Sequence, residues 1–215
     1  KLEKELENLS RFKTQLLSLA SHQIKAPLAA IKGFAELIEQ GLYGPVSEKV
    51  KETVGKMHHS TDELIDLIND LLSFRQVEEG KLEYRFEKVD IRELVKDVAD
   101  KLKLLADEKR LELAVSLPQE PAYVNADKEK LSQVVQNLVD NAIKYTNHGY
   151  VKISVRNGQS AMGNEQSVVL EVKDSGLGIP KDLLPHLFDE FIRDERVKKE
   201  VRGTGLGLYI ARKIV

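Results

Sequence analysis

Four short tracts contain residue types that could handle a phosphoryl group, and they follow one another in a defined order. The first surrounds His22, whose imidazole is a potential nucleophile. The second is Asn137–Asn141, and the last two are the glycine-rich tracts Asp174–Gly178 and Gly203–Gly207. A histidine on a helix, a polar helix face and two glycine-rich turns are what a protein would need to phosphorylate itself from a bound nucleotide.

His22 lies in a predicted helix among small side chains. Ser18 and Ala26 are one turn away from it, so a phosphoryl group could reach its ring. Pro27 removes the amide that would bond the Gln23 carbonyl, which predicts a kinked or loosened helix beside the histidine. A lone helical histidine is usually an ordinary surface residue. We interpret the other four in that way: His58, His59, His148 and His186.

The polar tract predicts a ligand-binding face on a second helix. Asn137, Asn141 and Lys144 are spaced at i, i+4 and i+7, so they share one face opposite the apolar stripe of that helix. Amide oxygens there could ligate Mg²⁺, and the lysine could meet phosphate charge. Taken alone, the same pattern also describes a solvated helix face.

The two glycine-rich tracts predict turns that a ligand can approach closely. Asp174 ends a predicted strand, and its carboxylate could accept the adenine amino group, although the tract alone also fits a plain turn. Gly203–Gly207 precedes a predicted helix, whose first amides could face phosphates. The charged segment Asp194–Val201 is interpreted as a lid over the nucleotide, or else as a solvated loop.

Composition limits the class of protein. The chain has 215 residues with 41% hydrophobic and 32% charged, a net charge of −2 and no cysteine. These values are typical of a soluble chain of one or two domains, without a basic surface for nucleic acid and without disulfides or thiolate metal sites. No apolar run approaches the roughly 20 residues of a membrane span, so we expect no direct membrane contact.

Hydrophobic periodicity predicts two domains. Residues 1–80 show helical apolar spacing, with a coiled-coil-like entry and a break at Gly41–Pro45, and Ser47 is the predicted N-cap of the second helix. This antiparallel hairpin has more apolar surface than its helices can cover, which predicts a homodimeric four-helix bundle. Residues 81–215 predict an α+β two-layer sandwich with these elements: strands Leu82–Phe86, Leu111–Leu117, Val151–Val155 and Val168–Val172, helices Ile91–Lys109, Asp127–Tyr145 and one from about Leu208, and a loop at Asn157–Gln166.

Together these tracts resemble the catalytic core of the sensor histidine kinases of two-component systems. The His22 tract resembles the phosphoacceptor box and Asn137–Tyr145 the asparagine box. Phe188 and Phe191 resemble the phenylalanine box, and the two glycine tracts resemble the glycine boxes. The resemblance covers nearly the whole chain and implies a phosphotransfer hairpin followed by an ATP-binding sandwich of the Bergerat type.

The resemblance implies a role for each matching residue. His22 would be the phosphoacceptor with Gln23 beside it, and the cofactors would be ATP and Mg²⁺, the metal being held by Asn141 with Asn137 assisting. Lys144 and Arg193 would contact phosphate, and Asp174 would recognise adenine. The remaining ATP-binding positions would be Tyr145, Gly176, Gly178, Gly203, Thr204, Gly205, Leu206 and Gly207.

The resemblance also implies partners. The phosphoryl group would pass from His22 to an aspartate of a response regulator, under the control of an upstream sensor module. The expected location is the cytoplasm. The chain would be either a cytoplasmic protein or the cytoplasmic part of a membrane-anchored receptor.

Three departures from the family pattern modify these expectations. Gln23 stands where the family usually has a carboxylate; it can orient the ring but cannot act as a base, which predicts slow autophosphorylation. Ala26 replaces the Thr or Asn of many relatives and predicts weak phosphatase activity. The chain ends at Val215, where relatives continue through further strands, which predicts a truncated domain. The alternatives are a nucleotide-binding dimeric scaffold without phosphotransfer and an ATPase without phosphohistidine.

Overall fold

A computed structural model of the chain describes residues 21, 23–80, 82–159, 166–197, 201 and 203–215. The chain divides into two compact units, Lys1–Lys81 and Leu82–Val215. The described part of the first unit is helical, and that of the second combines helices with strands, so the predicted fold class is confirmed. Within the described ranges, no helix combines the length and the apolar character needed to cross a bilayer.

The first unit is a helical hairpin formed by α1 (23–39) and α2 (Glu48–Glu78). Helix α1 runs through Pro27 and ends where Gly41 adopts a φ of 75°. The Gly41 amide donates to the Ile38 carbonyl (3.0 Å) and the Leu42 amide to the Leu37 carbonyl (3.1 Å), the usual pattern of a glycine-terminated helix. Glycine is favoured at this position because the conformation is left-handed.

Ser47 begins α2 as the sequence predicts. Its backbone is extended and its hydroxyl accepts from the Val50 amide at 3.4 Å, which confirms it as the N-cap. The Lys32 ammonium of α1 donates to Asp62 of α2 at 2.7 Å, and this hydrogen bond raises the pKa of Lys32. The two helices bury a narrow seam that is apolar except for Thr61: Leu28, Ala35, Val54, Thr61 and Ile68.

The second unit contains five strands and three helices among the described residues. Their bounds are β1 Glu87–Asp90, α3 Ile91–Glu108, β2 Glu112–Ser116, β3 Tyr123–Ala126, α4 Lys128–Tyr145, β4 Tyr150–Gln159, β5 Gln166–Asp174 and α5 Gly207–Ile214, with one 3₁₀ turn at Leu184–His186. Strands β1 and β3 form an antiparallel pair. The other sheet has the order β2-β4-β5, parallel between β2 and β4 and antiparallel between β4 and β5.

The core of this unit lies between the three-stranded sheet and helices α3 and α4. Alternate residues of β4 point inward, and Val151, Ile153 and Val155 are buried. Helix α3 contributes Val95 and Val98, which have 0% and 1% exposure. Because one face of each helix is committed to this core, the opposite face of α4 is determined, and that face carries the polar tract.

The predicted strand Leu82–Phe86 is wrong. The first strand begins at Glu87, because its partner β3 ends at Ala126, which pairs with Glu87. The chain beyond Ala126 turns into α4, so residues before Glu87 have no strand to pair with. The Arg85 amide instead donates to the side chain of Asp127 at 2.8 Å.

The remaining differences concern short or extended strands. Strand β3, with four residues, was not predicted because four residues are too few to show a clear alternation. Strands β4 and β5 extend into the segment Asn157–Gln166 that was predicted as a loop. Their antiparallel pairing continues to Gln159 opposite Gln166, so the ladder and not local polarity determines these ends.

Asp127 connects the start of α4 to the chain that enters the unit. It is the N-cap of α4, and its carboxylate accepts from the Lys130 amide at 3.0 Å and the Arg85 amide at 2.8 Å. These two hydrogen bonds lower the pKa of Asp127, first the one from Arg85 and then the one from Lys130. The ionised carboxylate therefore stabilises the folded state.

Replacing Asp127 by Ala is expected to lower the free energy of unfolding by about 0.5–2 kcal/mol at pH 7, the usual range for a lost N-cap. Urea unfolding followed by tyrosine fluorescence measures it. Because folding lowers the pKa, the stabilisation is complete above the unfolded-state value of about 3.9 and is lost as the pH falls through the folded-state value. The difference from wild type should therefore shrink below about pH 4. An equal loss in Asp100→Ala, an exposed position of α3, would contradict the capping role.

Candidate nucleotide site

The polar face of α4 is set by its buried face. Val135 and Val139 are completely buried, and Asn137, Asn141 and Lys144 are half-buried on the other side of the helix. The three predicted ligand-binding side chains therefore share a face, as their spacing predicts. Lys144 forms an ion pair with Asp140, with 2.6 Å between Nζ and Oδ2.

Asn137 joins this face to the second glycine tract. Its Nδ2 donates to the Gly207 carbonyl at 3.0 Å, 70 positions away in sequence. A Cβ atom on Gly207 would lie 3.5 Å from the Asn137 side chain, so the two elements are in van der Waals contact. Gly207 opens α5, which is anchored by the buried residues Leu206, Tyr209, Ile210 and Ala211. The structure thus brings together two tracts that the sequence predicts as parts of one site.

The start of α5 follows a tight turn. Gly205 has a φ of 75°, and a Cβ there would lie 2.8 Å from the Phe191 carbonyl carbon. The Thr204 hydroxyl accepts from the Leu206 amide at 3.1 Å, whereas Leu206 itself supplies no side-chain cap to α5. The first amides of α5 are thus not capped by a side chain of the N-cap residue, which suits an anionic ligand.

The last turn of α4 contacts the first glycine tract. The Leu177 amide donates to the Tyr145 carbonyl at 3.3 Å. A Cβ on Gly176 would overlap the Tyr145 carbonyl oxygen and would lie 2.9 Å from the Thr146 hydroxyl, so only glycine fits there. The Gly176 amide in turn donates to the Asp174 carboxylate at 2.9 Å. Asp174 is exposed at the end of β5, as the sequence predicts.

Two further donors complete the C-terminal end of α4. The hydroxyl of the buried Thr146 donates to the Ala142 carbonyl at 2.7 Å. The Lys109 ammonium donates to the carbonyls of Ile143 and Lys144, both at 2.9 Å. With the Leu177 amide on Tyr145, all four carbonyls that a helix end leaves without an intrahelical partner have a donor.

The predicted lid is tied to the first glycine tract. Arg196 binds Asp194 and lowers the pKa of its carboxyl, mainly through their side-chain hydrogen bond. The same guanidinium donates to the Gly178 carbonyl at 3.2 Å, and Gly178 has a φ of 64°. Arg193 donates to the carbonyl of Val201. The described residues of this segment thus bond to guanidinium groups that an anionic ligand could also engage.

The predicted metal ligands have suitable chemistry. Amide oxygens are hard donors, and Mg²⁺ typically combines few protein oxygens with phosphate and water. Asn137 uses its Nδ2 toward Gly207, so its amide oxygen remains an acceptor, and Asn141 lies one turn further along α4. Among the described side chains, no cluster of three or more His, Cys, Asp or Glu suits a metal ion.

The predicted phosphoacceptor is in the other unit. His22 lies outside the described residues, and Gln23 is exposed in α1. Gly203, another predicted contact, is exposed before α5.

The sequence interpretation missed several residues that shape the site. The Asp140–Lys144 pair follows an i, i+4 spacing and could have been found. Thr146 bonds the Ala142 carbonyl four residues earlier, which is also a local spacing. Arg196 and Lys109 had no such signal, because their carbonyl partners depend on how the chain folds; Arg196 reaches Gly178, 18 positions away, and Lys109 reaches carbonyls 34 and 35 positions away.

Two family descriptions match the chain. Residues 12–80 match the His Kinase A (phospho-acceptor) domain, HisKA. Residues 126–215 match HATPase_c, the histidine kinase-, DNA gyrase B- and HSP90-like ATPase. The first match contains His22, and the second contains the other three tracts.

Similar proteins include two histidine kinases and a hybrid signal transduction protein. The histidine protein kinase DivJ of Caulobacter vibrioides is 32% identical over 96% of this chain, which spans 34% of that protein. The sensor histidine kinase GacS of Pseudomonas protegens is 32% identical over 99% of this chain, 23% of its own length. The hybrid signal transduction protein dokA of Dictyostelium discoideum is 30% identical over 96%, 12% of its length. The chain thus spans about a third or less of each of these relatives.

Solved structures agree with this relationship. The chain resembles full-length ShkA in complex with AMPPNP, with a TM-score of 0.70 and 28% identity over 93% of this chain and 40% of that one. The Acinetobacter baumannii histidine kinase AdeS gives a TM-score of 0.56 with 25% identity, over 90% and 85% of the two chains. With a phospho-acceptor helical region followed by an ATPase-type α/β region, the chain belongs to the sensor histidine kinases and represents their catalytic core.

Proposed function

We propose that this chain binds ATP, transfers the γ-phosphoryl group to His22 and passes it on to an aspartate of a response regulator. The observation that carries the proposal is the convergence of the two glycine tracts on α4, the helix that carries the asparagine tract. Asn137 bonds the Gly207 carbonyl of the second glycine tract, and the Tyr145 carbonyl bonds Leu177 of the first. This is the arrangement that a nucleotide needs, with a base-recognising carboxylate on one side and helix amides for phosphates on the other.

ATP would lie between these tracts. The Asp174 carboxylate would accept the adenine amino group, with Gly176, Gly178 and Tyr145 shaping that pocket. Lys144 and Arg193 would contact the phosphates. The phosphate side would be formed by Gly203, Thr204, Gly205, Leu206 and Gly207. Mg²⁺, when bound to Asn141 and Asn137, would neutralise phosphate charge.

The chemical step makes modest demands on the protein. The imidazole nitrogen of His22 attacks the γ-phosphorus, the bond to the bridging oxygen breaks, ADP leaves, and the ring releases a proton. Most of the catalysis is positioning and charge neutralisation. With an ordinary pKa of about 6.5, an imidazole is mostly neutral at pH 7. Gln23 can orient the ring through its amide oxygen but cannot take the proton.

Exposed apolar side chains on the hairpin support a homodimer. Both helices of the hairpin carry large apolar side chains that their shared seam leaves open: Ile24, Ile31, Phe34, Met57, Leu64 and Leu67. Pairing two hairpins into a four-helix bundle would cover this surface, because bundles bury such stripes.

Since ATP is the phosphoryl donor, we place the reaction in the cytoplasm, downstream of a sensor module. Ala26, with no polar group to position water, leaves phosphatase activity weak.

Gly176→Ala is expected to raise the Kd of Mg-ATP at least about tenfold, because the added methyl overlaps the Tyr145 carbonyl and displaces the tract that holds Asp174. Isothermal titration measures this. The matched control is Gly33→Ala in α1, where nothing lies within 4 Å of the added methyl, and it should bind like wild type. Unchanged affinity in Gly176→Ala would remove this tract from the nucleotide site.

Gln23→Glu is expected to raise the autophosphorylation rate by about tenfold or more, since general-base assistance contributes about 10²–10⁴-fold. The rate is followed with ATP labelled in its γ-phosphoryl group. An unchanged rate would reject the base argument. A wild-type chain that binds ATP but never acquires label would favour the nucleotide-binding scaffold that Gln23 suggests.

A further inference from the structure

Lys109 follows α3 in a turn that directs its side chain toward α4. It is the C-cap of α3, and the next residue, Arg110, has a φ of 57°, an uncommon conformation for a residue other than glycine. The turn is closed by the Leu111 amide, which donates to the Ala106 carbonyl at 2.9 Å. Leu111 and Ala106 are both buried, so the position of the turn is determined by the core.

The Lys109 ammonium lies at the C-terminal end of α4. It donates to the carbonyls of Ile143 and Lys144 at 2.9 Å and approaches the Thr146 carbonyl at 3.5 Å. A cation at this end also interacts favourably with the helix dipole. Burial lowers the pKa of Lys109, against the opposing effect of Asp140. A lysine kept half-buried at such a cost suggests a role that an apolar residue could not fill.

The end of α4 is also the support of the first glycine tract. The Tyr145 carbonyl, next to the two carbonyls that Lys109 binds, accepts the Leu177 amide. Gly176 lies against the same turn, with room for no Cβ atom. A shift of this turn would therefore move the backbone that follows Asp174, although the hydrogen bonds of Lys109 go to backbone carbonyls and not to Asp174 itself.

We propose that Lys109 is a positioning residue for the nucleotide site. Its ammonium holds the last turn of α4 and, through the Tyr145 carbonyl, keeps the Asp174–Gly178 tract in the shape that accepts adenine. The inference rests on the proposed ATP-binding function. It assigns a role to a residue that belongs to none of the motif tracts.

The test uses the whole chain with three variants. Lys109→Met keeps the aliphatic stem and removes the ammonium, and Lys109→Arg keeps the charge with another geometry. Lys103→Met is the matched control, because Lys103 lies in α3, the helix that Lys109 caps, and pairs at the surface with Asp107 at 3.5 Å. Three quantities are measured for each: the thermal midpoint, the amide resonances of Gly176 and Leu177 without nucleotide, and the Kd of Mg-ATP below all midpoints.

Lys109→Met should shift the amide resonances of Gly176 and Leu177 and raise the Kd of Mg-ATP by about tenfold. Lys109→Arg should restore most of the affinity, and Lys103→Met should resemble wild type in all three measurements. A lower thermal midpoint with unchanged amides and unchanged Kd would reduce Lys109 to a stabilising residue and overturn the proposal. If Lys109→Met does not fold, Lys109→Arg decides: a clearly weaker Mg-ATP affinity with the Gly176 and Leu177 amides at their wild-type positions would overturn the proposal equally, because affinity would then not depend on the position of this tract.

The amide resonances separate this inference from the function on which it rests. Absence of ATP binding by the wild type would reject the proposed function. If the wild type binds ATP but the Gly176 and Leu177 amide resonances of Lys109→Met do not shift, the positioning role alone would be rejected.

Discussion

The candidate nucleotide site depends on the way in which α4 ends. A helix leaves its last four carbonyls without partners, and in a half-buried position each must find a donor. Here the donors come from three parts of the chain: the Thr146 hydroxyl, the Lys109 ammonium and the Leu177 amide. The hydrogen bonds to these carbonyls therefore hold both the turn after α3 and the first glycine tract against the last turn of α4. The same hydrogen bonds that pair these backbone carbonyls also position the parts of the candidate site.

At the other end of the polar face, a hydrogen bond to a backbone carbonyl also joins two parts of the site. Asn137 satisfies the Gly207 carbonyl, and Gly207 opens the helix whose first amides would face phosphate. The charged groups nearby already have partners: Lys144 pairs with Asp140, and Arg193 bonds the Val201 carbonyl. Phosphates would have to compete with these contacts. If Asp194–Val201 is a lid, as the sequence predicts, part of the binding free energy of ATP would offset the cost of rearranging these contacts.

The sequence predicts most of what is local in this molecule. Ser47 as an N-cap, the shared face of Asn137, Asn141 and Lys144, and Asp174 at a strand end all follow from spacing and residue type. Features that depend on tertiary pairing could not be predicted. The segment Leu82–Phe86 has the composition of a strand but no partner, because β3 turns into α4. Lys109 looks like any charged residue near a helix end until its distant carbonyls are known.

The most direct test of the proposed activity identifies the atom that receives the phosphoryl group. The chain is incubated with Mg²⁺ and ATP labelled in its γ-phosphoryl group, together with His22→Ala and the matched variant His59→Ala, whose side chain is 71% exposed on α2. A label that is labile in acid and stable in alkali, absent from His22→Ala and retained in His59→Ala, is the predicted result. A label that survives in His22→Ala, or one that is stable in acid, would contradict a phosphohistidine at this position.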